Sequence, residues 1–125
     1  IPISGGEHEY TRYGFLDIIE KEAMDIIQPD LRRCGGLTEG KKIAALAQAA
    51  GVTVIPHAYG VSHIHFALST PNVPMVEYFP MPSWDSLPSS DVEPIFVDEP
   101  QPSGGKIGLE SRPGLGVQVN EAIFA

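Results

Sequence analysis

MDIIQPDLRRCGGLTEGKKIAALAQAAGVTVIPH, residues 24–57, contains one complete structural unit. MDIIQPD (24–30) is a short apolar run that ends in Pro29 and Asp30. VTVIPH (52–57) is a second, rich in β-branched residues and ending in Pro56 and His57. Both have the length and residue types of buried strands. Between them, in TEGKKIAALAQAA (38–50), Ile43, Leu46, Ala47 and Ala50 recur at i, i+3, i+4 and i+7. That spacing predicts an amphipathic helix. Thr38 is expected as its N-cap and Gly51 as the residue just past its end. A strand, a helix and a strand with short connections predict a parallel pair joined by a helical crossover.

The same alternation extends in both directions. Ile1-Pro2-Ile3 opens an apolar stretch that runs to Gly6, and residues 11–23 place Phe15 or Leu16, Ile19 and Ala23 on one helical face. VSHIHFALS (61–69) reads as a shorter helix and PMVEYFP (74–80) as a further strand. The expected order is strand 1–6, helix 11–23, strand 24–29, helix 38–50, strand 52–56, helix 61–69 and strand 75–79. The fold class is therefore α/β. Continuous apolar runs, in place of strict alternation, fit strands covered on both faces. Beyond residue 80 the texture changes, because six of the twelve prolines fall within 82–113. PSWDSLPSSDVEP reads as a long loop, PIFV as a short extended piece, and PQPSGGKIGLESRPGLGVQV as turns around brief strands. The expected organisation is a domain over 1–80 and an irregular tail over 81–125 that packs on something else. Phe96, Leu109, Leu115 and Val117 argue against a disordered linker.

Composition narrows the function. The chain has 125 residues, is 42% hydrophobic and carries a net charge of −8. That suffices for one modest domain with a core. Eight scattered Lys and Arg make no basic patch, which excludes nucleic acid and an anionic membrane as partners. No apolar run approaches the roughly 20 residues of a membrane span. A signal peptide is not visible. The single Cys34 has no internal disulfide partner, which fits a reducing compartment, and the cytoplasm is the expected location.

The ionisable residues fall in a pattern. GGEHEYTRYGF (5–15) sets Glu7, His8 and Glu9 at the end of the first expected strand. Asp30 ends the second, His57 the third, and Glu77 lies near the end of the fourth. One acid after a strand is usually a turn former or helix cap, and His57 alone reads as a hydrogen-bonded structural histidine. Four in succession point instead to a site, because parallel α/β folds build sites at the carboxyl ends of their strands. Gly5-Gly6 would then let backbone and ligand approach closely. His63 and His65 lie two apart on different helical faces and lack the spacing of helical metal ligands, so structural or surface roles are expected. Cys34 is expected to be inert. Neither glycine pair belongs to a phosphate-binding motif.

GGEHEYTRYGF, DIIQPDLRRCGGLTEGKKIAALAQAAGV, VIPHAYG and NVPMVEYF together resemble the later half of the barrel domain of the enolase superfamily, mandelate racemase/muconate lactonizing enzyme branch. The nearest likeness is to its acid-sugar dehydratases of the rhamnonate type. The resemblance covers about residues 3–80, and GLESRPGLGV fits the family's returning C-terminal segment. It implies the second half of a TIM (β/α)8 barrel, strands five to eight. It further implies Glu7 as a Mg²⁺ ligand, His8 facing substrate and His57 as the base. Asp30 would orient His57, and Glu77 would hydrogen-bond the substrate carboxylate or enediolate. The implied reaction is dehydration of a sugar acid to a 2-keto-3-deoxy acid. The polar run His8-Glu9-Tyr10-Thr11-Arg12 suits a polyhydroxylated substrate, because each buried hydroxyl needs a partner. Racemase and cycloisomerase begin with the same proton abstraction and stand as alternatives.

The chain also departs from the family. A full barrel takes about 250 residues, and the remaining metal carboxylates are absent. A half barrel exposes two strand edges. Three readings follow: a cleaved or truncated part of a longer enzyme, a half barrel that pairs with a copy of itself, or a non-catalytic remnant that binds a ligand or partner. The first is expected, with the isolated chain inactive. A sugar acid is the expected small-molecule partner. A homo-oligomer, or association with the missing N-terminal part, is the expected assembly.

Overall fold

Four backbone hydrogen bonds organise the sheet. Ile26 and Gln28 donate to the carbonyls of Ile3 and Gly5 (3.1 and 2.8 Å), and Ile55 and His57 donate to those of Ile27 and Pro29 (3.0 and 3.1 Å). This even spacing is that of parallel pairing. The computed structural model describes residues 1–79 and 95–124. Strands β1 (Ser4–Gly5), β2 (Ile26–Ile27) and β3 (Thr53–Val54) lie in the order β1-β2-β3, all parallel. Ser4 stands beside Ile26 and Ile26 beside Thr53. The ladders are shorter than the expected strands, although the flanking bonds extend the pairing on the carboxyl side.

The expected fourth strand is not formed. Val54 donates to the carbonyl of Asn72 (3.0 Å), so the chain returns alongside β3 earlier than predicted. Residues 75–79 carry no ladder. Alternate N–H groups of a strand point to opposite neighbours, and the next group facing this side belongs to position 56. Pro56 has no N–H to give.

Helix α1 (Thr11–Glu20) is shorter than the expected 11–23. Glu22 turns left-handed (φ 49°), and Ala23 donates back to the Ile18 carbonyl (3.1 Å), which closes the helix. Helix α2 (Gly36–Ala49) starts before the expected 38. Its N-cap is Gly35 at φ 117°, not Thr38, which lies inside the first turn. Gly51 at φ 72° follows the end as expected. The buried face of α2 is Gly40, Ile43, Ala44 and Ala47, so it is rotated from the predicted one and leaves Ala50 exposed. A Cβ at position 40 would lie 2.4 Å from the Leu31 side chain, which explains the glycine. Helix α3 spans Val61–Leu68.

Phe15, Ile27, Leu31, Cys34, Ile43, Ala44, Ala47, Val54, Phe66 and Val73 form the core. Burying one such large side chain contributes about 1.5–3 kcal/mol. The start of α1 is tied to α2 by polar contacts. Thr11 N–H donates to the Cys34 carbonyl (3.2 Å), and Arg12 Nη1 meets both Glu39 oxygens (2.8 and 3.0 Å).

The chain divides into two compact units, Ile1–Glu77 and Tyr78–Ala125. The expected boundary at 80/81 and the loop predicted over 82–94 lie outside the described residues. In the second unit, Phe96 and Val119 form an antiparallel bridge, and Ser103 and Lys106 close a turn over Gly104-Gly105. Arg112 pairs with Asp98 and Glu110. Val97, Val119 and Phe124 are exposed.

Gly6 has φ 104°, and a Cβ there would stand 3.1 Å from the Phe15 ring. A Cβ at Gly5 would stand 3.2 Å from Met24. Packing thus favours glycine at both positions, most strongly at Gly6. Gly6→Ala should lower stability by about 1–3 kcal/mol, since it combines backbone strain with crowding of a core ring. Gly36→Ala, at φ 82° with open space around it, should cost less. Urea denaturation checks the order, and equal losses would contradict the steric account.

Candidate active site at the carboxyl ends of the strands

The expected site residues emerge at the carboxyl ends of the three strands, with Glu77 beside them. Glu77 is the most connected. Its Oε2 accepts the Ala58 N–H (2.6 Å) and lies 3.1 Å from His57 Nδ1, while its Oε1 accepts from Gln28 Nε2 (3.0 Å). Gln28 Oε1 accepts in turn from the Ser4 hydroxyl (2.8 Å). The His57–Glu77 contact is an ion pair when the imidazole is protonated. Both side chains are partly exposed, at 33% and 29%. Ala58 is held at φ 67°, a left-handed conformation unusual outside glycine.

Glu7 follows β1 and is half-buried. Its own backbone N–H holds the carboxyl below the usual range, and the charges of His8 and His57 act in the same direction. His8 itself is exposed.

Asp30 is 4% exposed and is committed elsewhere. Its Oδ1 accepts the Arg32 N–H (2.8 Å), Arg32 and Arg33 approach it, and His63 Nε2 stands 3.7 Å away. The expected pairing of Asp30 with the His57 ring is therefore replaced: the carboxylate against His57 is Glu77. The cause is local. His57 is fixed by its backbone bond to Pro29, while Asp30, one residue further, bends back into the turn that precedes α2.

His63 is the residue that the sequence underrated. It is fully buried, and its Nε2 has no hydrogen-bond partner. Burial pushes its pKa down to about 4, only partly opposed by the Asp30 charge. Phe66, three positions on, shares the buried side of α3 and was the available signal. Cys34 is inert as expected, because burial raises its thiol to about 11, with the Asp30 charge adding to the effect. The polar run after Glu7 is partly spent on structure. Arg12 is tied to Glu39, and Glu9 lies against Gly14. No group of three His, Cys, Asp or Glu able to hold a metal occurs among the described residues. Glu7 is a suitable oxygen donor, but one donor does not make the octahedral site that Mg²⁺ requires. No helix among the described residues is long and apolar enough to cross a membrane.

Residues 1–123 match the family model described as enolase C-terminal domain-like. The chain is 43% identical over 118 residues to a protein named L-rhamnonate dehydratase from Saccharopolyspora erythraea, covering 94% of this chain and 30% of that protein. A crystal structure of L-talarate dehydratase from Polaromonas sp. JS666, complexed with Mg and L-glucarate, superposes with TM-score 0.81 at 32% identity, over 98% of this chain and 32% of that one. The 3,6-anhydro-D-galactonate cycloisomerase from Zobellia galactanivorans superposes with TM-score 0.78 at 34% identity, over 98% of this chain and 34% of that one. The chain thus spans about a third of the length of these relatives.

Burial of His63 has a consequence in acid. The unfolded chain takes up this proton near pH 6.5, whereas the folded chain does so only near pH 4. Between these values the unfolded state holds more protons, so stability falls as pH falls. The loss due to His63 should approach about 3 kcal/mol by pH 4. Urea denaturation from pH 7.5 to 4 should show a shallower decline in His63→Asn than in the unmodified chain, and parallel curves would refute the assignment.

Proposed function

The chain belongs to the enolase C-terminal domain-like family, in the mandelate racemase/muconate lactonizing enzyme branch, and from this premise we propose that it is the later barrel portion of an acid-sugar dehydratase. The observation that supports the reading is the His57–Glu77 contact at the carboxyl edge of the parallel sheet. The dehydratase names of the relatives support the choice of reaction.

In this reading the His57 Nε2 lone pair takes the proton at C2 of an aldonate. The electron pair moves into the carboxylate as an enediolate. The hydroxyl at C3 then leaves and is protonated to water by the same His57, so the base is regenerated. The resulting enol tautomerises to a 2-keto-3-deoxy acid. Glu77 forms an ion pair with His57 when the imidazole is protonated. Asp30 acts from behind, anchoring the turn that follows β2 and the buried His63. His8, exposed on the Glu7 turn, is proposed to meet substrate hydroxyls. Glu7 is proposed as one oxygen ligand of a Mg²⁺ site whose other donors lie outside this chain, and no step is assigned to the ion from these residues alone.

A second reading, cycloisomerase, is favoured by the likeness to the Zobellia enzyme, since it starts from the same proton abstraction. The longer protein containing this segment, incubated with Mg²⁺ and a panel of aldonates and aldarates, should form 2-keto-3-deoxy products detectable as semicarbazones. No keto acid from any of them, with solvent-deuterium exchange at the alpha carbon of another acid, would transfer the assignment to a racemase or cycloisomerase. His57→Asn should lower turnover at least about a hundredfold while Mg²⁺ binding survives. Glu7→Gln should raise the Mg²⁺ concentration needed. Calorimetry on the 125-residue chain alone should detect no tight stoichiometric Mg²⁺ binding.

A further inference from the structure

Gly14 lies inside α1, although glycine is among the poorest helix formers and alanine is the best. A Cβ at position 14 would collide with Glu9 Oε2, and it would stand 3.4 Å from Glu9 Cδ and 3.7 Å from Glu9 Cβ. The three nearest atoms thus all belong to Glu9. The glycine leaves a recess at the first turn of α1, and the half-buried Glu9 side chain folds back into it. The start of α1 is a firm seat. Thr11 N–H donates to the Cys34 carbonyl (3.2 Å) and Arg12 N–H to Glu39 Oε1 (3.0 Å). Thr11, a β-branched residue, is held at φ 58°, a conformation that persists only where its surroundings over-determine it. Helix α1 has no acidic residue in its first turn, and Tyr10 at its N-cap makes no side-chain cap bond. A carboxylate folded onto that turn is favoured by the partial positive charge of the helix N-terminus. At its backbone, Glu9 closes the turn that carries Glu7 and His8, through its N–H to the Gly6 carbonyl (3.0 Å).

We propose that Glu9 is a positioning residue: its carboxylate, seated in the recess at Gly14, clamps the Gly6–Glu9 turn onto the start of α1 and so fixes Glu7 and His8. The backbone of Glu9 holds the turn and its side chain holds the helix, so the turn cannot swing without lifting the carboxylate from its seat. Glu7 and His8 lie in neither helix nor ladder, and their directions follow from where this turn sits. Gly14 has the matching part of keeping the seat open. Glu9 touches neither the reacting atoms nor the substrate in this account. It acts through Glu7 and His8. The consequence for catalysis rests on the function proposed above, whereas the clamp itself does not.

The test reads the turn first, by nitrogen relaxation in the 125-residue chain. Gly14→Ala replaces a poor helix former by a good one and has only the flexible end of Glu9 to displace. Its urea midpoint should hold or rise. The order parameters of the Glu7 and His8 amides should nevertheless fall, while those of Ile27 and Val54 hold. Glu9→Ala should lower the same two. With Glu9→Ala in place, adding Gly14→Ala should lower them no further, because no carboxylate is left to displace. Unchanged Glu7 and His8 amides in Gly14→Ala, or losses that add in the double variant, would overturn the proposal. If Gly14→Ala does not fold, Glu9→Ala decides, since it empties the recess and keeps the glycine; rigid Glu7 and His8 amides there would be equally decisive against the clamp. In the longer protein, each single variant should lose about tenfold or more in kcat and need more Mg²⁺ for half-maximal activity, and the double variant should lose no more than Glu9→Ala. Loss confined to the KM of the sugar acid would contradict the positioning of Glu7. If the longer protein dehydrates no sugar acid, the function proposed above fails, and the relaxation cycle still decides the clamp.

Discussion

The site depends on two backbone hydrogen bonds at the carboxyl edge of the sheet, from Gln28 to Gly5 and from His57 to Pro29. They are the last rungs of the two parallel ladders, and everything beyond them leaves the sheet at the same end. Glu7, Asp30 and His57 are the residues that leave, or the one that forms the last rung. The side-chain period of a strand is two, so a slip of one residue would turn each of them to the opposite face. Pro29 and Pro56 help fix where pairing stops, because neither has an N–H for the neighbouring strand. At β2 and β3 the proline that ends pairing is followed directly by the ionisable residue, Asp30 or His57.

The two carboxylates near His57 are separated by their surroundings. Asp30 is buried, and its charge is met by a backbone N–H, two arginines and a neutral imidazole. Such a group is costly to leave unpaired, since a buried polar atom without a partner loses about 1–3 kcal/mol. It is accordingly bound into the turn before α2. Glu77 stays partly exposed, lies on an unladdered segment, and is met by groups from two parts of the chain, Gln28 and the adjacent His57 and Ala58. Position follows from how each acid is satisfied: the deeper one supports the fold, and the shallower one reaches the imidazole.

This also explains what could be read in the sequence. The strand–helix–strand unit of 24–57 was legible because its periodicity is local, and its glycine at 51 ends the helix as the pattern required. The placement of Glu7, Asp30 and His57 at one edge followed from parallel topology alone. The fourth strand was not legible, because the loss depends on Pro56 in a different strand facing the incoming segment. Thr38 was a sound cap by residue type, but Gly35 at φ 117° starts the helix earlier, through a turn whose geometry pattern does not encode. The approach of Glu77 to His57 was not legible for a similar reason. Gln28 and Glu77 are 49 positions apart, and no periodicity links them.

The groups that the proposed reaction needs are represented unequally in this chain. The proposed metal site has one donor here, Glu7, with no cluster of candidate ligands around it among the described residues. The surroundings of the proposed base are better represented: His57, Glu77, Ala58, Gln28 and Ser4 form one connected set within the unit Ile1–Glu77. A base needs a fixed tautomer and a partner, both of which short-range contacts can supply. A hard cation needs several oxygens converging from many directions, which a three-stranded sheet does not surround. In the proposed reaction the base and its neighbours are thus local to one unit, whereas the oxygens that a hard cation needs are not gathered among the described residues.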